Sequence, residues 1–353
     1  MRVLLDTRPA ESCATGIGRY ARTLRALLAD GGIPGHEGFS LGSDVRLAVR
    51  SAVEAELELE LELPALLERE AIGVFHSPLF VLPALLPCPA VVTIHDAIPL
   101  ARPDLASPSF QRLFEEHAAK AAARATLVVC PSEHAKKELV RTLGLDEARV
   151  RVVPETPQGC FQVLEPEARA SIRRRHALEG PFFLVLGTLE KRKNPRVVLE
   201  ALAARPDAPP VVFVGPEGGF DLRGESERLG VADRVRSLGT VSDENLVGLL
   251  GEALALVFPS LHEGFGLPVV EAFACDTPVI ASTAGSLPEV AGDAAIFFDP
   301  EDASALGQAM ARVQDETVHA DLVGRGRARL TRFTPAVVRQ ALADLYSELE
   351  RAL

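Results

Sequence analysis

Two glutamates and a glycine-rich loop form the densest group of residues whose types and spacing suit chemistry on an anionic ligand. In the segment Leu261–Glu271 (LHEGFGLPVVE), two glycines flank Phe265, and Pro268 then opens a helix where its missing N–H costs nothing. The start of that helix would present free backbone amides and the positive end of the helix dipole, which predicts a binding site for an anion such as a diphosphate.

The two glutamates lie on either side of this loop. Glu271 follows Glu263 by eight residues and falls in the first turn of the predicted helix. A carboxylate at such a place is the usual partner of a ribose diol, and Glu263 in the loop is expected to point at a sugar. Taken singly, Glu271 could merely complement the helix dipole and Glu263 could be solvated. Their combination with the glycine loop favours a nucleotide-sugar site.

A basic loop follows another predicted buried strand. The segment Gly187–Pro195 (GTLEKRKNP) places three cations between that strand and the next helix. Arg192 offers a bidentate fork to a diphosphate and Lys193 a point charge, so both are predicted diphosphate ligands. A solvated basic loop is the alternative.

A histidine and an aspartate end a buried strand of the first half, in the segment Thr93–Pro99 (TIHDAIP). A lone histidine is most often structural, but His95 follows a strand, and the carboxyl ends of parallel strands are where ligands bind. We therefore predict that His95 contacts a transferred sugar. Asp96 would orient His95 or hydrogen-bond the following turn.

A short glycine motif follows the first strand. Gly16 and Gly18 form a GxG, but the third glycine of the dinucleotide-binding motif GxGxxG is missing. The pair is therefore weak evidence for a dinucleotide site. The interpretation is a loop that lets an acceptor or a phosphate approach a helix N-terminus. No cofactor and no metal are expected, because the eight histidines show no metal-ligand spacing and no Asp-x-Asp pair occurs. Arg192, Lys193 and the helix dipole would then neutralise a leaving diphosphate.

The elements that must position these residues alternate between strands and helices along the whole chain. Near-continuous apolar strands separated by amphipathic helices predict an α/β fold with parallel sheets covered on both faces. Length alone, at 353 residues, favours two domains, here two Rossmann-like doubly wound domains facing across a cleft. The predicted strands are RVLLD, DVRLAVR, GVFHS, AVVTIHD, TLVVCPS, RVRVVP, FFLVLG, PVVFVG, ALVFPS, PVIAS and AAIFF.

The alternation of predicted strands and helices is interrupted at residues 155–169, a segment rich in Pro, Glu and Gln. We therefore predict an acceptor-side domain over 1–168, joined by the last helix at about 336–353, and a donor-binding domain over 169–335. Pro335 follows Thr334, a predicted N-cap of that helix. The strict alternation of Glu54–Leu63 (EAELELELEL) predicts an edge strand with one face in water.

Composition excludes several functional classes. A net charge of −12 argues against a nucleic-acid-binding protein, and it does not indicate peripheral membrane contact. No apolar run approaches the ~20 residues that span a bilayer, and the N-terminus lacks the apolar core of a signal peptide. Five cysteines without a CxxC pair suggest reduced thiols and a cytoplasmic location.

These segments together resemble the retaining glycosyltransferases of family four, which have the GT-B fold. GTLEKRKNP resembles their phosphate-binding loop, and FPSLHEGFGLPVVEAF resembles their Glu-x7-Glu signature. TAGSLPEVAGDAA is similar to the segment after it, while VFHSP, TIHDAIP and VVCPSEHAKKEL are similar to N-terminal landmarks. The resemblance covers nearly the whole chain.

The resemblance implies a role for each matching residue. Arg192 and Lys193 would bind the donor diphosphate, and Glu271 the ribose. Glu263 would contact the donor sugar as a stabiliser. The acceptor would attack on the face of the sugar from which the phosphate departs, and that phosphate would take the acceptor proton. The amides of the loop would assist at the diphosphate, and they belong to Phe265, Gly266 and Leu267.

On the acceptor side, the resemblance implies that His95 contacts the sugar and that Gly16, Gly18 and Asp96 lie near the acceptor. Three positions depart from the family pattern. Thr188 stands where many members have Arg, which removes one phosphate contact. Asp276 stands where Gly is usual, and Glu155–Thr156 replaces a usual Asn-Gly, changes expected to bear on helix capping and on the linker.

The resulting hypothesis is a hexosyltransferase that uses a GDP- or UDP-linked hexose of the mannose or glucose type. Its acceptor would be a saccharide, a lipid-linked glycan or a small molecule. The alternatives are a nucleotide-sugar epimerase of the same fold, an inactive nucleotide-sugar-binding protein, and an NAD-dependent dehydrogenase that rests only on the weak GxG motif.

Overall fold

A computed structural model describes residues 1–8, 10, 16–29, 32–41 and 52–352, and for 52–59 and 61 it describes the backbone alone. The chain divides into two compact units. The first contains Met1–Thr156 with Thr334–Leu353, and the second contains Pro157–Phe333. The domain limits predicted from the sequence fall later, at 168 and 335. Residues 157–168 therefore belong to the second unit and not to the first. Phe161, in this segment, is buried in a core of the second unit, which explains the assignment.

The first unit is built on a six-stranded parallel sheet with the order β2-β1-β3-β4-β5-β6. Its strands are β1 Arg2–Asp6, β2 Glu37–Leu41, β3 Val74–Ser77, β4 Ala90–Thr93, β5 Leu127–Cys130 and β6 Val150–Val152. Its helices before the change of unit are α1 Gly16–Ala29, α2 Ala52–Arg69, α3 Ile98–Ala101, α4 Pro108–Arg124 and α5 Glu133–Leu143.

The second unit has a six-stranded parallel sheet with the order β12-β11-β10-β7-β8-β9. The strands are β7 Phe183–Leu186, β8 Val211–Val214, β9 Val235–Ser237, β10 Ala255–Phe258, β11 Val279–Ser282 and β12 Ala295–Phe298. The helices are α6 Pro166–Arg175, α7 Pro195–Ala204, α8 Leu222–Arg228, α9 Asp243–Glu252, α10 Leu267–Ala274, α11 Leu287–Ala291, α12 Ala303–Arg312 and α13 Glu316–Leu330. The last helix, α14 Pro335–Ala352, returns to the first unit.

The inner strands of each sheet are mostly apolar because the sheet buries both of its faces. In β7, Leu184 and Leu186 join one hydrophobic core, while Phe183 and Val185 join the core on the opposite face. Each fully buried side chain of this size contributes about 1.5–3 kcal/mol. The predicted α/β fold with parallel sheets is confirmed.

Helix ends follow their local sequence. Ser107 caps α4 by accepting from the Phe110 amide. Thr334, the predicted N-cap, caps α14 by accepting from the Val337 amide. Asp276, placed where the resembled family has Gly, follows α10 with a left-handed φ of 57°. Arg327 donates two hydrogen bonds to its carboxylate, at 2.7 and 2.5 Å, so the aspartate gains an ion pair in exchange for the glycine's conformational freedom.

One strand prediction is wrong. Glu54–Leu63 belongs to the helix α2 and not to an edge strand. Glu, Leu and Ala are strong helix formers, and Leu63, Leu66 and Leu67 are buried at helical spacing, which outweighs the alternation.

Two short edge strands, β2 and β9, were not predicted, because each is only partly buried and lacks a continuous apolar run. The predicted strand DVRLAVR, residues 44–50, lies outside the described residues. Among the described residues, we find no helix with the length and apolar character needed to cross a membrane.

A chain of buried polar side chains ties α14 to the first sheet. The Tyr20 hydroxyl lies 3.3 Å from the Thr93 hydroxyl, which lies 2.9 Å from His76 Nε2. His76 Nδ1 lies 2.7 Å from the Tyr346 hydroxyl on α14. Burial lowers the pKa of His76 to about 3, so the ring is neutral at physiological pH and depends on these two partners.

We predict that Tyr346→Phe lowers the free energy of unfolding by about 1–3 kcal/mol, because it leaves the buried His76 Nδ1 without its partner. Tyr20→Phe should cost less, since Thr93 keeps its bond to His76. Urea unfolding followed by far-UV circular dichroism measures both, as the chain has no Trp. An unchanged midpoint for Tyr346→Phe would contradict this role of the network.

Candidate functional site

The basic loop of the second unit is anchored by its own backbone turn and by the loop after β10. Residues Lys191–Lys193 form a 3-10 turn, and Asn194 then adopts a left-handed φ of 52° before Pro195 opens α7. The Asn194 side-chain amide donates to the carbonyls of Pro259 (3.2 Å) and Pro300 (2.8 Å). The Leu261 amide donates to the Arg192 carbonyl at 2.8 Å. Strands β7 and β10 are neighbours in the sheet, so these loops meet at one edge.

A glycine makes room for the lysine of this loop. Gly187 has a φ of 132°, and a Cβ there would lie 3.1 Å from Cδ and Cε of Lys193. The Lys193 ammonium lies 4.9 Å from the centroid of the Phe258 ring, within the range of a cation–π contact. The lysine is therefore held between a glycine and an aromatic face at the carboxyl ends of β7 and β10.

Glu263 joins both predicted diphosphate ligands in one ion cluster. Lys193 Nζ donates to Glu263 Oε1 at 2.5 Å, and Arg192 donates to Glu263 Oε2 at 3.2 Å. Arg192 also donates to Glu190 Oε1 at 2.8 Å. Glu263 is only 8% exposed, so its carboxylate lies between two cations with little contact with water.

The cluster determines the protonation state of Glu263. Burial alone would raise the pKa of this carboxyl, but the charges of Lys193 and Arg192 and the lysine hydrogen bond outweigh burial and lower it to about 2. Burial lowers the pKa of Lys193, with Arg192 acting in the same direction and Glu263 opposing both. Glu263 is therefore an anion at physiological pH and has no proton to donate.

The loop between Glu263 and α10 leads to an open helix N-terminus. Gly266, at the N-cap of α10, has a φ of 105°, and no side chain caps this end of the helix. An uncapped helix start presents backbone donors and the positive end of the helix dipole, and these are the groups that an anion binds. Phe265 and Leu267, whose amides belong to the predicted diphosphate site, have buried side chains that anchor the turn.

The loop after β11 fixes Glu263 from the other side. The Ser286 amide donates to the Glu263 carbonyl at 3.1 Å, and the Ser286 hydroxyl lies 2.7 Å from the Phe265 carbonyl. Gly285 has a φ of 60°, and a Cβ there would lie 2.4 Å from the Glu263 carbonyl oxygen. Sequence reasoning did not identify Gly285, Ser286 or Glu190 as parts of the site. The first two belong to TAGSLPEV, and the similarity of this segment to the resembled family could have indicated them.

Glu271 differs from its predicted setting. The helix α10 begins at Leu267, its first turn contains no acidic residue, and Glu271 falls one turn further in. The prediction of a first-turn position is wrong because the helix starts at Leu267, one residue before Pro268. The Glu271 side chain is fully buried, so it is not a solvated complement to the dipole, and its contact with a ribose stays a prediction.

In the first unit, His95 follows β4 and lies beside a carboxylate that was not assigned to the site. His95 Nδ1 donates to Glu155 Oε1 at 2.9 Å, and the Tyr20 ring meets the imidazole edge-on with centroids 4.8 Å apart. Burial would lower the pKa of His95, but the Glu155 bond and charge, with Asp96 and the Pro78 carbonyl, raise it overall.

The other residues predicted to lie on the acceptor side are found around the starts of α1 and α3. Asp96 Oδ1 accepts from the Ile98 amide at 3.1 Å, which is the turn contact that the sequence offered as one of two roles. Gly16 is exposed at the first residue of α1, and Gly18 is buried within it. Their place near an acceptor stays a prediction, and residues 11–15 lie outside the described part of the chain.

Comparison with known proteins indicates the family to which the chain belongs. The family described as glycosyl transferases group 1 matches residues 168–328, and Glycosyltransferase Family 4 matches residues 38–155. O-antigen chain mannosyltransferase B of Escherichia coli is 31% identical over 277 residues, which are 74% of this chain and 70% of that one.

Two further proteins are similar at lower identity. The serotype-specific mannosyltransferase WbdA of Escherichia coli is 28% identical over 276 residues, which are 74% of this chain but only 34% of that one. The Anabaena protein HepE, solved in complex with UDP-glucose, has the same fold with a TM-score of 0.76. It is 19% identical, over 99% of this chain and 100% of that one.

We predict that Gly285→Ala destabilises the second unit by about 1–3 kcal/mol, because alanine must adopt a left-handed φ against the Glu263 backbone. The matched control is Gly219→Ala, where an added Cβ would meet nothing within 4 Å. Urea unfolding of both variants measures the difference. Equal stability of the two variants would show that the Glu263 loop tolerates the added methyl group.

Proposed function

The chain belongs to the group 1 glycosyltransferases and is a transferase enzyme, and we propose that it moves a hexose, with retention, from a nucleoside-diphosphate sugar. The acceptor is a saccharide, a lipid-linked glycan or a small molecule. The observation that carries the proposal is the buried cluster of Lys193, Arg192 and Glu263 beside the uncapped N-terminus of α10.

The donor diphosphate binds to the cations of the cluster and to the amides of α10. Arg192 and Lys193 are paired with carboxylates, and phosphate oxygens compete for the same N–H groups with charge-assisted hydrogen bonds. The backbone at Phe265, Gly266 and Leu267 supplies neutral donors in a fixed turn. These groups together neutralise the leaving diphosphate, so the proposed transfer requires neither a metal ion nor a cofactor.

Glu263 contacts the donor sugar as an acceptor of hydrogen bonds. With a pKa near 2 it is ionised, and an ionised carboxylate accepts from sugar hydroxyls but donates to none. It is also held by two cations, which weakens it as a nucleophile. These properties favour the role of a stabiliser, in which positive charge developing on the sugar ring is balanced by the carboxylate.

Retention then follows from attack on the same face as the leaving group. The acceptor oxygen forms a bond to the anomeric carbon while the bond from that carbon to the phosphate oxygen breaks. The acceptor proton passes to the departing phosphate. In this proposal Glu271 binds the ribose, His95 contacts the transferred sugar, and Gly16, Gly18 and Asp96 lie on the acceptor side.

The proposed donors are GDP- and UDP-linked mannose and glucose. Support comes from the similarity to an O-antigen chain mannosyltransferase and from HepE, which was solved with UDP-glucose. The name of the first protein also favours a saccharide acceptor for this chain.

We predict that Glu263→Gln and Lys193→Met each cost about 2–4 kcal/mol of transition-state stabilisation, measured as kcat/KM with the donor that binds. The control is Lys191→Ala in the same loop, whose side chain is exposed and which should keep wild-type turnover. Wild-type kcat/KM in Glu263→Gln would remove this residue from the mechanism.

We also predict that one of UDP, GDP and ADP raises the thermal unfolding temperature without magnesium, and that Glu271→Ala abolishes the shift. A shift with NAD alone, or with none of these ligands, would contradict a nucleotide-sugar site. Conversion of the donor sugar in the absence of any acceptor would identify an epimerase instead.

A further inference from the structure

We propose that Glu155 is a positioning residue for His95: it holds the proton on Nδ1, fixes the ring against Tyr20, and leaves Nε2 as the nitrogen that meets the ligand. This inference rests on the proposed function, in which His95 contacts the transferred sugar. Nothing in the similarity to known proteins assigns a role to Glu155, and the resembled family usually has Asn at this place.

The geometry of the sheet makes the contact possible. His95 follows β4 and Glu155 follows β6, and the order β4-β5-β6 leaves one strand between them. Neighbouring strands lie about 4.8 Å apart, so the two loops are separated by roughly 10 Å at the carboxyl edge. A histidine and a glutamate side chain together bridge that span, as the 2.9 Å bond shows. Asparagine is one methylene shorter and carries no charge.

Both side chains are withdrawn from water, so their interaction is strong. The side chains of His95 and Glu155 are 17% and 10% exposed. A carboxylate bonded to Nδ1 selects the tautomer and orientation of the ring, since the accepting oxygen requires a proton on that nitrogen. Nε2 is buried and makes no hydrogen bond within the described residues, which leaves it available to a ligand.

The remaining groups around the ring reinforce this state. Tyr20 of α1 packs edge-on against the imidazole, and burial raises its pKa, so the phenol is neutral. Asp96 on the same loop and the Pro78 carbonyl after β3 both raise the pKa of His95, in the same direction as Glu155. Of these groups, Glu155 is the one that both carries a charge and hydrogen-bonds the ring, so the test removes the charge of Glu155.

The first test is direct titration of His95 by NMR in the full-length protein carrying isotope-labelled histidine, with the signal assigned by its loss in His95→Gln. We expect the pKa of His95 in the wild-type protein to lie above the ordinary value of histidine, and Glu155→Gln to lower it by about one unit or more. Glutamine keeps the size and an acceptor oxygen, so the fold should persist, which circular dichroism checks. Glu147→Gln, an exposed glutamate of the same unit, is the control.

An unchanged His95 pKa in folded Glu155→Gln would overturn the inference. The second readout is the pH profile of kcat/KM, in which the limb that His95→Gln removes should move to lower pH in Glu155→Gln by the amount seen in NMR. Transfer with an unmoved profile would also overturn the positioning role. A shifted NMR titration in a protein that transfers no sugar would defeat the proposed function instead, and the hold of Glu155 on His95 would stand.

Discussion

The ion pairing of the buried Glu263 carboxylate with Lys193 and Arg192 is the interaction on which the candidate site of the second unit depends. A buried charge is tolerated only when partners of the opposite sign lie within hydrogen-bonding distance. Those partners come from a loop about seventy residues earlier in the chain, as the 2.5 and 3.2 Å bonds show. The backbone must therefore hold two loops in a fixed relation before any ligand arrives.

The parallel sheet supplies that relation. Strands β11, β10 and β7 are consecutive neighbours, so the loops after them share one edge. Each loop is tied to the next through its backbone, by the bond from Leu261 to Arg192 and by the bonds from Ser286 to Glu263 and Phe265. Gly285 permits the close approach that these bonds require. The charged side chains are thus oriented by main-chain contacts and not by their own attraction alone.

The same principle operates in the first unit with different chemistry. There β4 and β6 bring His95 and Glu155 together across β5, and the ring is further confined by Tyr20. Tyr20 is in turn bound through Thr93 and His76 to Tyr346 on α14. A neutral buried histidine needs both of its nitrogens satisfied, and Tyr346 of the last helix supplies one of the two contacts, beside the apolar residues of α14 in this core. The surroundings of His95 are therefore linked to a helix more than two hundred residues away in sequence.

Several features of this protein were determined by the sequence alone. The apolar strands, the helix cap at Thr334, and the choice of Arg192, Lys193, Glu263 and Glu271 as candidate residues all depend on short-range periodicity and on residue chemistry. The same local reasoning failed for Glu54–Leu63, where alternation and helix propensity conflict, and for the edge strands β2 and β9, which lack a continuous apolar run.

Only the tertiary structure decided which of these residues meet. Strand order decides the pairing of Glu263 with Lys193 and the bond between Glu155 and His95. It also decides the full burial of Glu271 and the contacts that Gly285 and Ser286 make with the Glu263 loop. Strand order is set by long-range packing of complete layers, and residues far apart in the chain carry no local signal of their future neighbours.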